Sequence, residues 1–173
     1  MPISLYDATV RSFIQTVGAV SAFLEKSRTH FEANGQDPSA ILENRLHADM
    51  FPLRFQLVSV AHHSAQAIEG AKAGEAHPPG SVGELGYAGM QAHVADALAA
   101  LKAFTPDEVN ALEGRDVVFK LGERGLPFTA ENFLLTFSLP NLHFHATTAY
   151  DILRQAGVPL GKRDYMGVMQ MKR

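Results

Sequence analysis

The chain of 173 residues contains no cysteine. Disulfides, thiolate metal sites and a cysteine nucleophile are therefore excluded. A concentration of charge of one sign is missing too. Fifteen Lys and Arg stand against 18 Asp and Glu, for a formal net charge of −3. The basic residues are scattered, unlike the footprint of a nucleic-acid binder. The one local run, Gly161-Lys162-Arg163, reads as part of a solvated tail. No stretch reaches the roughly 18 unbroken apolar residues of a membrane helix. The opening Met-Pro-Ile-Ser-Leu-Tyr-Asp lacks the basic-then-apolar pattern of a signal peptide. The expectation is a soluble, cytoplasmic protein without nucleic-acid or membrane partners. Also lacking are GxGxxG, a Walker loop, a Gly-x-Ser-x-Gly elbow and His-Glu-x-x-His. The paired Glu-x-x-His helices of a di-iron bundle are absent as well.

What is present is helical patterning. A hydrophobic fraction of 46% at this length fits one domain over residues 1–173 with one core. Ser4 and Asp7 cap a first helix whose seam is Ile3, Tyr6, Val10, Phe13, Val17, Val20 and Leu24, ending at Asn34-Gly35. Asp37-Pro38 starts a second helix, with Leu46, Met50, Leu53, Leu57, Val60, Ala67 and Ala71 in step and a kink at Pro52. Ser81 and Glu84 form a capping box for a third, with Tyr87, Met90, Val94, Ala97, Leu101 and Phe104 as its seam. A second box, Thr105 to Glu108, opens a short helix. Residues 116–121 and 126–129 around Gly-Glu-Arg-Gly read as a β-hairpin. The last helix runs from a Thr129 cap to Gly157, bent at Pro140, and the tail from Val158 to Arg173 reads as extended. The fold expected is all-α: an antiparallel four-helix bundle with a short hairpin between helices three and four.

One seam of the last helix carries the chemistry. Its spacing calls for apolar residues, yet three consecutive turns bear Asn141, His145 and Thr148 between Phe137 and Ile152. Positions i and i+4 lie roughly 6 Å apart on one face, so Asn141 and His145 can address a common point. A buried polar group without a partner costs about 1–3 kcal/mol. The seam therefore implies either a satisfied core network, with His145 bonded to Asn141 and to helix two, or a ligand-facing pocket. Helix two offers His47, Asp49, His62 and His63. His62 and His63 point about 100° apart, so at most one of them is expected to face the interior beside His145. Asp49 either joins the pocket or pairs with Arg45 or Arg54. A divalent metal wants two or three histidines plus an oxygen. His63 and His145 supply two, and Asn141 a weak neutral oxygen.

The segment Leu139-Pro-Asn-Leu-His-Phe-His-Ala-Thr-Thr-Ala-Tyr-Asp-Ile-Leu-Arg-Gln-Ala-Gly157 carries a resemblance, with Asp49-Met-Phe-Pro-Leu53 and Gly161-Lys-Arg-Asp-Tyr-Met-Gly167. Together these resemble a bacterial family known as domain of unknown function 1993, over nearly the whole chain. That family is similar to the DinB/YfiT-like superfamily. The resemblance implies a four-helix bundle, a homodimer, and in many members a divalent metal held by three histidines. One of these lies on helix two and two form a His-x-x-x-His pair on helix four. For some members it also implies thiol-dependent transfer or isomerisation. Here the second histidine of the pair matches His145, set by its distance from Leu153-Arg154. The first falls on Asn141, a departure from the pattern, and the helix-two histidine falls on His62 or His63. Two functions follow as expectations. One is a small-molecule pocket lined by Asn141, His145, Thr148 and Asp49, with or without one Zn or Ni ion on His145, His63 and Asn141. The other is a metal-free structural or interaction module acting as a homodimer.

Overall fold

Ser4 opens the first helical segment, its hydroxyl accepting from the Asp7 N–H at 3.1 Å. Residues 3–172 are described by the structure, a computed structural model. Met1, Pro2 and the final Arg173 of the expected tail lie outside the described residues. Helix α1 spans Leu5–Ala8 and α2 Val10–Ala33. Val10, Phe13, Val17, Val20 and Leu24 are buried as their spacing requires, whereas Ile3 is exposed. Gly35, at φ +67°, supplies the left-handed residue that stops α2.

The second helix begins later than the pattern implies. Asp37 caps only a 3₁₀ turn, Pro38–Glu43, accepting from Ser39 N–H at 2.8 Å. An irregular stretch follows, and α3 runs Leu53–Ala61 with Pro52 at its N-cap. Proline lacks an N–H and is tolerated at a helix start, so Pro52 begins this helix rather than kinking one under way. His47 and Asp49 consequently sit in the irregular stretch. Beyond α3 the chain continues as a π-helical turn, His62–Gln66, and then α4, Ala67–Ala73.

Strand β1, Glu75–Ala76, pairs parallel with β2, Asp116–Leu121, which pairs antiparallel with β3, Arg124–Thr129. The hairpin was legible from its glycine turn. The third strand, two residues long, was not, so the fold is mainly helical with a three-stranded sheet rather than all-α. Gly70 permits the third strand: a Cβ there would meet the Ala76 Cβ at 2.9 Å.

Helix α5, Tyr87–Ala103, starts at Gly86 and not at Ser81. Ser81 accepts from Gly83 N–H, while Ser39, distant in sequence, accepts from Tyr87 N–H at 3.1 Å. The capping box of α6, Pro106–Asn110, forms between Thr105 and Glu108. Helix α7, Ala130–Asn132, passes through a second π-helical stretch, Phe133–Ser138, into α8, Leu139–Gln155. The π turns precede Pro140 and take up the disturbance expected there as a bend. The tail is not extended. Val158 and Leu160 are buried, and α9, Lys162–Met166, lies on α2 through Lys26 to Asp164 at 3.1 Å and Gln15 to the Met166 carbonyl at 2.8 Å. The Gly161-Lys162-Arg163 run is thus the start of a helix.

Helices α2, α3, α5 and α8 pack around one apolar core that also takes in Phe119 and Phe133 from the sheet side. No helix among the described residues is long and apolar enough to cross a membrane. Leu57 on α3 is fully buried in this core. Leu57→Ala is expected to lower unfolding free energy by about 2–5 kcal/mol in denaturant titration. A change well under 1 kcal/mol, against the usual cost of such cavities, would contradict this packing.

Candidate functional site

Gln56 organises the site. It lies on α3 with only 2% of its surface exposed. Its amide nitrogen donates to the Phe51 carbonyl at 2.8 Å, and its oxygen faces His145 Nδ1 at 2.7 Å. A carbonyl can only accept, so the first bond fixes which end of the amide meets His145. An amide oxygen also only accepts, so His145 Nδ1 must carry the proton, leaving Nε2 with the lone pair. One buried amide therefore sets a histidine tautomer and anchors the loop before α3.

His63 lies against the other face of this arrangement. Its ring is parallel to that of His145, with 5.6 Å between centroids and 7° between planes. It meets Phe137 edge-on at 5.7 Å and His62 edge-on at 4.7 Å. His63 is thus the helix-two histidine that faces His145. His62 is buried too, because the wider π turn brings both residues under cover. His62 Nδ1 lies 3.0 Å from Gln66 Oε1. His63 Nδ1 is buried without a hydrogen-bond partner. Such an orphaned polar atom calls for a reason, a ligand or solvent contact among them.

The other expected site residues fall differently. Asn141 is half-buried, and its amide donates to the Phe137 carbonyl at 2.7 Å, one turn back in the π-helical stretch. Thr148 is buried, and its hydroxyl donates to the Phe144 carbonyl at 2.8 Å. Both bond within their own helix, so of the three seam residues His145 alone reaches a neighbouring helix by a side-chain bond. Asp49 is not brought to the site. It is exposed and bonded to His47 Nδ1 at 2.5 Å, while Arg45 donates to the Met50 carbonyl and Arg54 pairs with Glu43. Of the expected ligand set of His145, His63 and Asn141, the two imidazoles lie with parallel planes, and the Asn141 amide nitrogen is bonded to backbone. No group of three or more His, Asp or Glu side chains among the described residues could hold a metal ion.

Aromatic rings surround the cluster. Phe55 and Phe144 meet His145 edge-on at 5.9 and 5.3 Å, and Phe51 stacks on Phe55 at 4.2 Å. Phe51 and Phe144 are exposed at 60% and 55%. Beneath, Phe137 contacts Phe119 and Phe133, tying the π-helical stretch to the sheet. Two cavities flank the cluster. One of about 250 Å³ is bounded by Phe51, Phe55 and the 80–83 loop. The other, of about 220 Å³, opens between His62, Phe133 and the Glu75–Pro78 segment.

Comparison with known proteins places this geometry in a family. The profile of DUF1993, domain of unknown function, matches residues 5–166. The chain belongs to the DUF1993 family. A crystal structure of a DinB family member protein from Shewanella denitrificans is similar over 98% of this chain and 95% of that one, at 29% identity and a TM-score of 0.80. No curated protein matches.

In this DUF1993 chain the three imidazoles resist protonation. Burial is the main cause for each. It pulls His62 down, His145 to about 4 and His63 to about 3 from an ordinary value of 6.5, with the neighbouring imidazoles adding repulsion to His63 and His145. The cluster is neutral at pH 7, a set of acceptors rather than a cationic patch. Gln56 was missed by sequence reasoning. Its one signal was a polar residue immediately before Leu57 in a helix that is buried on nearly every side.

Two outcomes check this geometry. Gln56→Leu leaves His145 Nδ1 and the Phe51 carbonyl without their partner, so it should cost about 1–3 kcal/mol. It should also release the His145 tautomer, read by ¹⁵N NMR of the ring; unchanged stability with an unchanged tautomer would contradict the assignment. The pH dependence has a definite sign. The unfolded chain binds protons near pH 6.5 that the folded cluster refuses until about 4 for His145 and 3 for His63. Stability from this cluster is therefore full above 6.5 and falls as pH drops through that window. Equilibrium unfolding between pH 4 and 7, compared with His63→Phe, should show the loss reduced in the variant.

Proposed function

We propose that this protein binds a small molecule at the cluster of His62, His63 and His145, with His145 Nε2 as the hydrogen-bond acceptor. The observation that carries this reading is the Gln56 amide, which holds His145 in one tautomer with its lone pair uncommitted to Gln56. A positioning partner on the far nitrogen is how sites preset a histidine for a ligand. The unpartnered His63 Nδ1 and the ring of phenylalanines support it, since small-molecule sites are apolar surfaces with a few placed polar groups. A histidine with a pKa near 4 accepts hydrogen bonds but is poorly matched to removing protons at pH 7. Binding is therefore the primary role assigned. Thiol-dependent transfer, which the family resemblance implies for some members, would be built on the same acceptor facing an S–H group. The antiparallel bundle of α2, α3, α5 and α8 is the scaffold in this reading.

The homodimer has its own support in Phe51 and Phe144, two exposed phenyl rings beside the site. A dimer closing over this face would complete the pocket's wall.

The test uses the simplest carriers of each donor, 2-mercaptoethanol and phenol, titrated into the intact protein while the His145 ring is followed by NMR. Saturable shifts at His145 that vanish in a folded His145→Ala variant are expected. If neither probe perturbs His145 at any concentration, the pocket reading fails.

A further inference from the structure

Away from the histidine cluster, a groove of about 360 Å³ runs along α2 and α5, with the C-terminal segment as its third wall. Its floor is Gly18, Ala19 and Ala22 of α2, flanked by Ile14 and by Leu98 of α5. Gly18 keeps the floor low, since a Cβ there would reach Leu98 Cδ1 at 4.0 Å. The third wall is anchored. Gln15 Nε2 donates to the Met166 carbonyl at 2.8 Å. Gly167, at φ +60°, passes so close to α2 that a Cβ on it would meet the Ala19 Cβ at 2.9 Å. Val168 then joins the wall while 88% exposed, an apolar residue left almost wholly uncovered.

The charge of this groove is gathered at one end. Helices α2 and α5 run antiparallel: Gln91 Nε2 donates to Glu25 Oε2 at 3.1 Å, and Leu98 lies beside Gly18. The same register, continued, brings Lys102 level with Ile14, about one turn from Arg11. The two cations of the lining, Arg11 and Lys102, therefore stand together, and the apolar floor leads from them toward Ala22. No carboxylate lines the groove, in a chain whose formal net charge is −3. Lys102 is exposed and joins no ion pair among the described residues. Arg11 engages Asp7 through Nη1 at 2.9 Å, and its guanidinium has further N–H donors that this contact does not use.

We infer that this groove is a second ligand site, independent of the histidine cluster, and that it takes a single-chain amphipathic carboxylate. The head group lies at Arg11 and Lys102, and the alkyl chain runs over Gly18 and Ala22 beside Val168. From Arg11 to Ala22 the helix rises roughly 16 Å, the reach of an extended medium-chain acid such as decanoate. Over that length the volume of about 360 Å³ gives a cross-section of roughly 20 Å². That is room for one file of methylenes, not for the body of a partner helix some 10–12 Å across. A cationic amphiphile would set its head against Arg11 and Lys102, where like charges repel.

The experiment titrates decanoate into the whole chain below its micellar concentration, with backbone amides followed by ¹H–¹⁵N NMR. Decyltrimethylammonium, the same chain length with the opposite charge, is the comparison. Saturable decanoate shifts at Gly18, Ala22 and Leu98 are expected. The cation should bind at least about tenfold more weakly, since two exposed charges attract one head and repel the other. Lys102→Glu should weaken decanoate at least about threefold and strengthen the cation. Ala22→Phe, at an exposed position, should fill the floor and abolish the shifts; Lys102→Glu stands as a separate readout if that variant does not fold. Equal binding of the two amphiphiles, or decanoate held unchanged by Lys102→Glu, would overturn the ligand class. Shifts at Phe51 and Phe144 in place of the groove, or no saturable shift anywhere, would overturn the site. So would vesicles of anionic phospholipid that sediment the protein while free decanoate leaves the groove unmoved, which would point to a membrane surface. His145→Ala should bind decanoate like the unaltered protein, so failure here leaves the histidine reading standing.

Discussion

Two π-helical stretches, His62–Gln66 and Phe133–Ser138, lie at one level of the fold and touch through His63 and Phe137. Each widens its helix by a residue per turn, and so each changes which side chains face inward beyond it. The first brings adjacent histidines, His62 and His63, both under cover. The second precedes Pro140 and delivers His145 to α3 while Phe137 keeps contact with the sheet. The site exists because both register shifts occur at the same depth.

A cluster of three imidazoles in an apolar setting is stable only while uncharged. Burial and mutual repulsion keep it so, and the Gln56 amide satisfies the donating nitrogen of His145. This separates the site from two familiar uses of histidine. It is unlike a cationic phosphate patch, because the rings do not charge at neutral pH. It is also unlike a strong base, because the same burial that holds the rings neutral weakens their grip on a proton. What remains is directional acceptance of a hydrogen bond beside aromatic walls, which suits recognition of an uncharged donor.

Membership of DUF1993 and likeness to a DinB family member protein establish the family and the fold, and neither assigns a chemistry to the cluster. At Asn141 the amide nitrogen donates to the Phe137 carbonyl in a stretch where the regular ladder of helix bonds is interrupted.

Helix existence was legible wherever apolar residues recurred in step, as with Val10, Phe13, Val17, Val20 and Leu24, because burial along one stripe is a local property of spacing. So were Ser4 and Thr105 as caps, whose partners lie three residues away. Helix starts failed at Pro52 and Gly86, where a long-range bond such as Ser39 to Tyr87 N–H replaced the local cap. Among site residues, His145 was legible as a polar residue on an apolar seam. Gln56 was not, since its role depends on two groups, one of them 89 residues away. By itself the sequence determined the helical stripes and the hairpin turn, which follow from neighbours within a turn or two, and, from composition alone, the absence of cysteine chemistry. The tertiary structure alone decided which histidine faces His145, which nitrogen keeps its lone pair and where the cavity opens, because those depend on register between segments that the chain brings together only on folding.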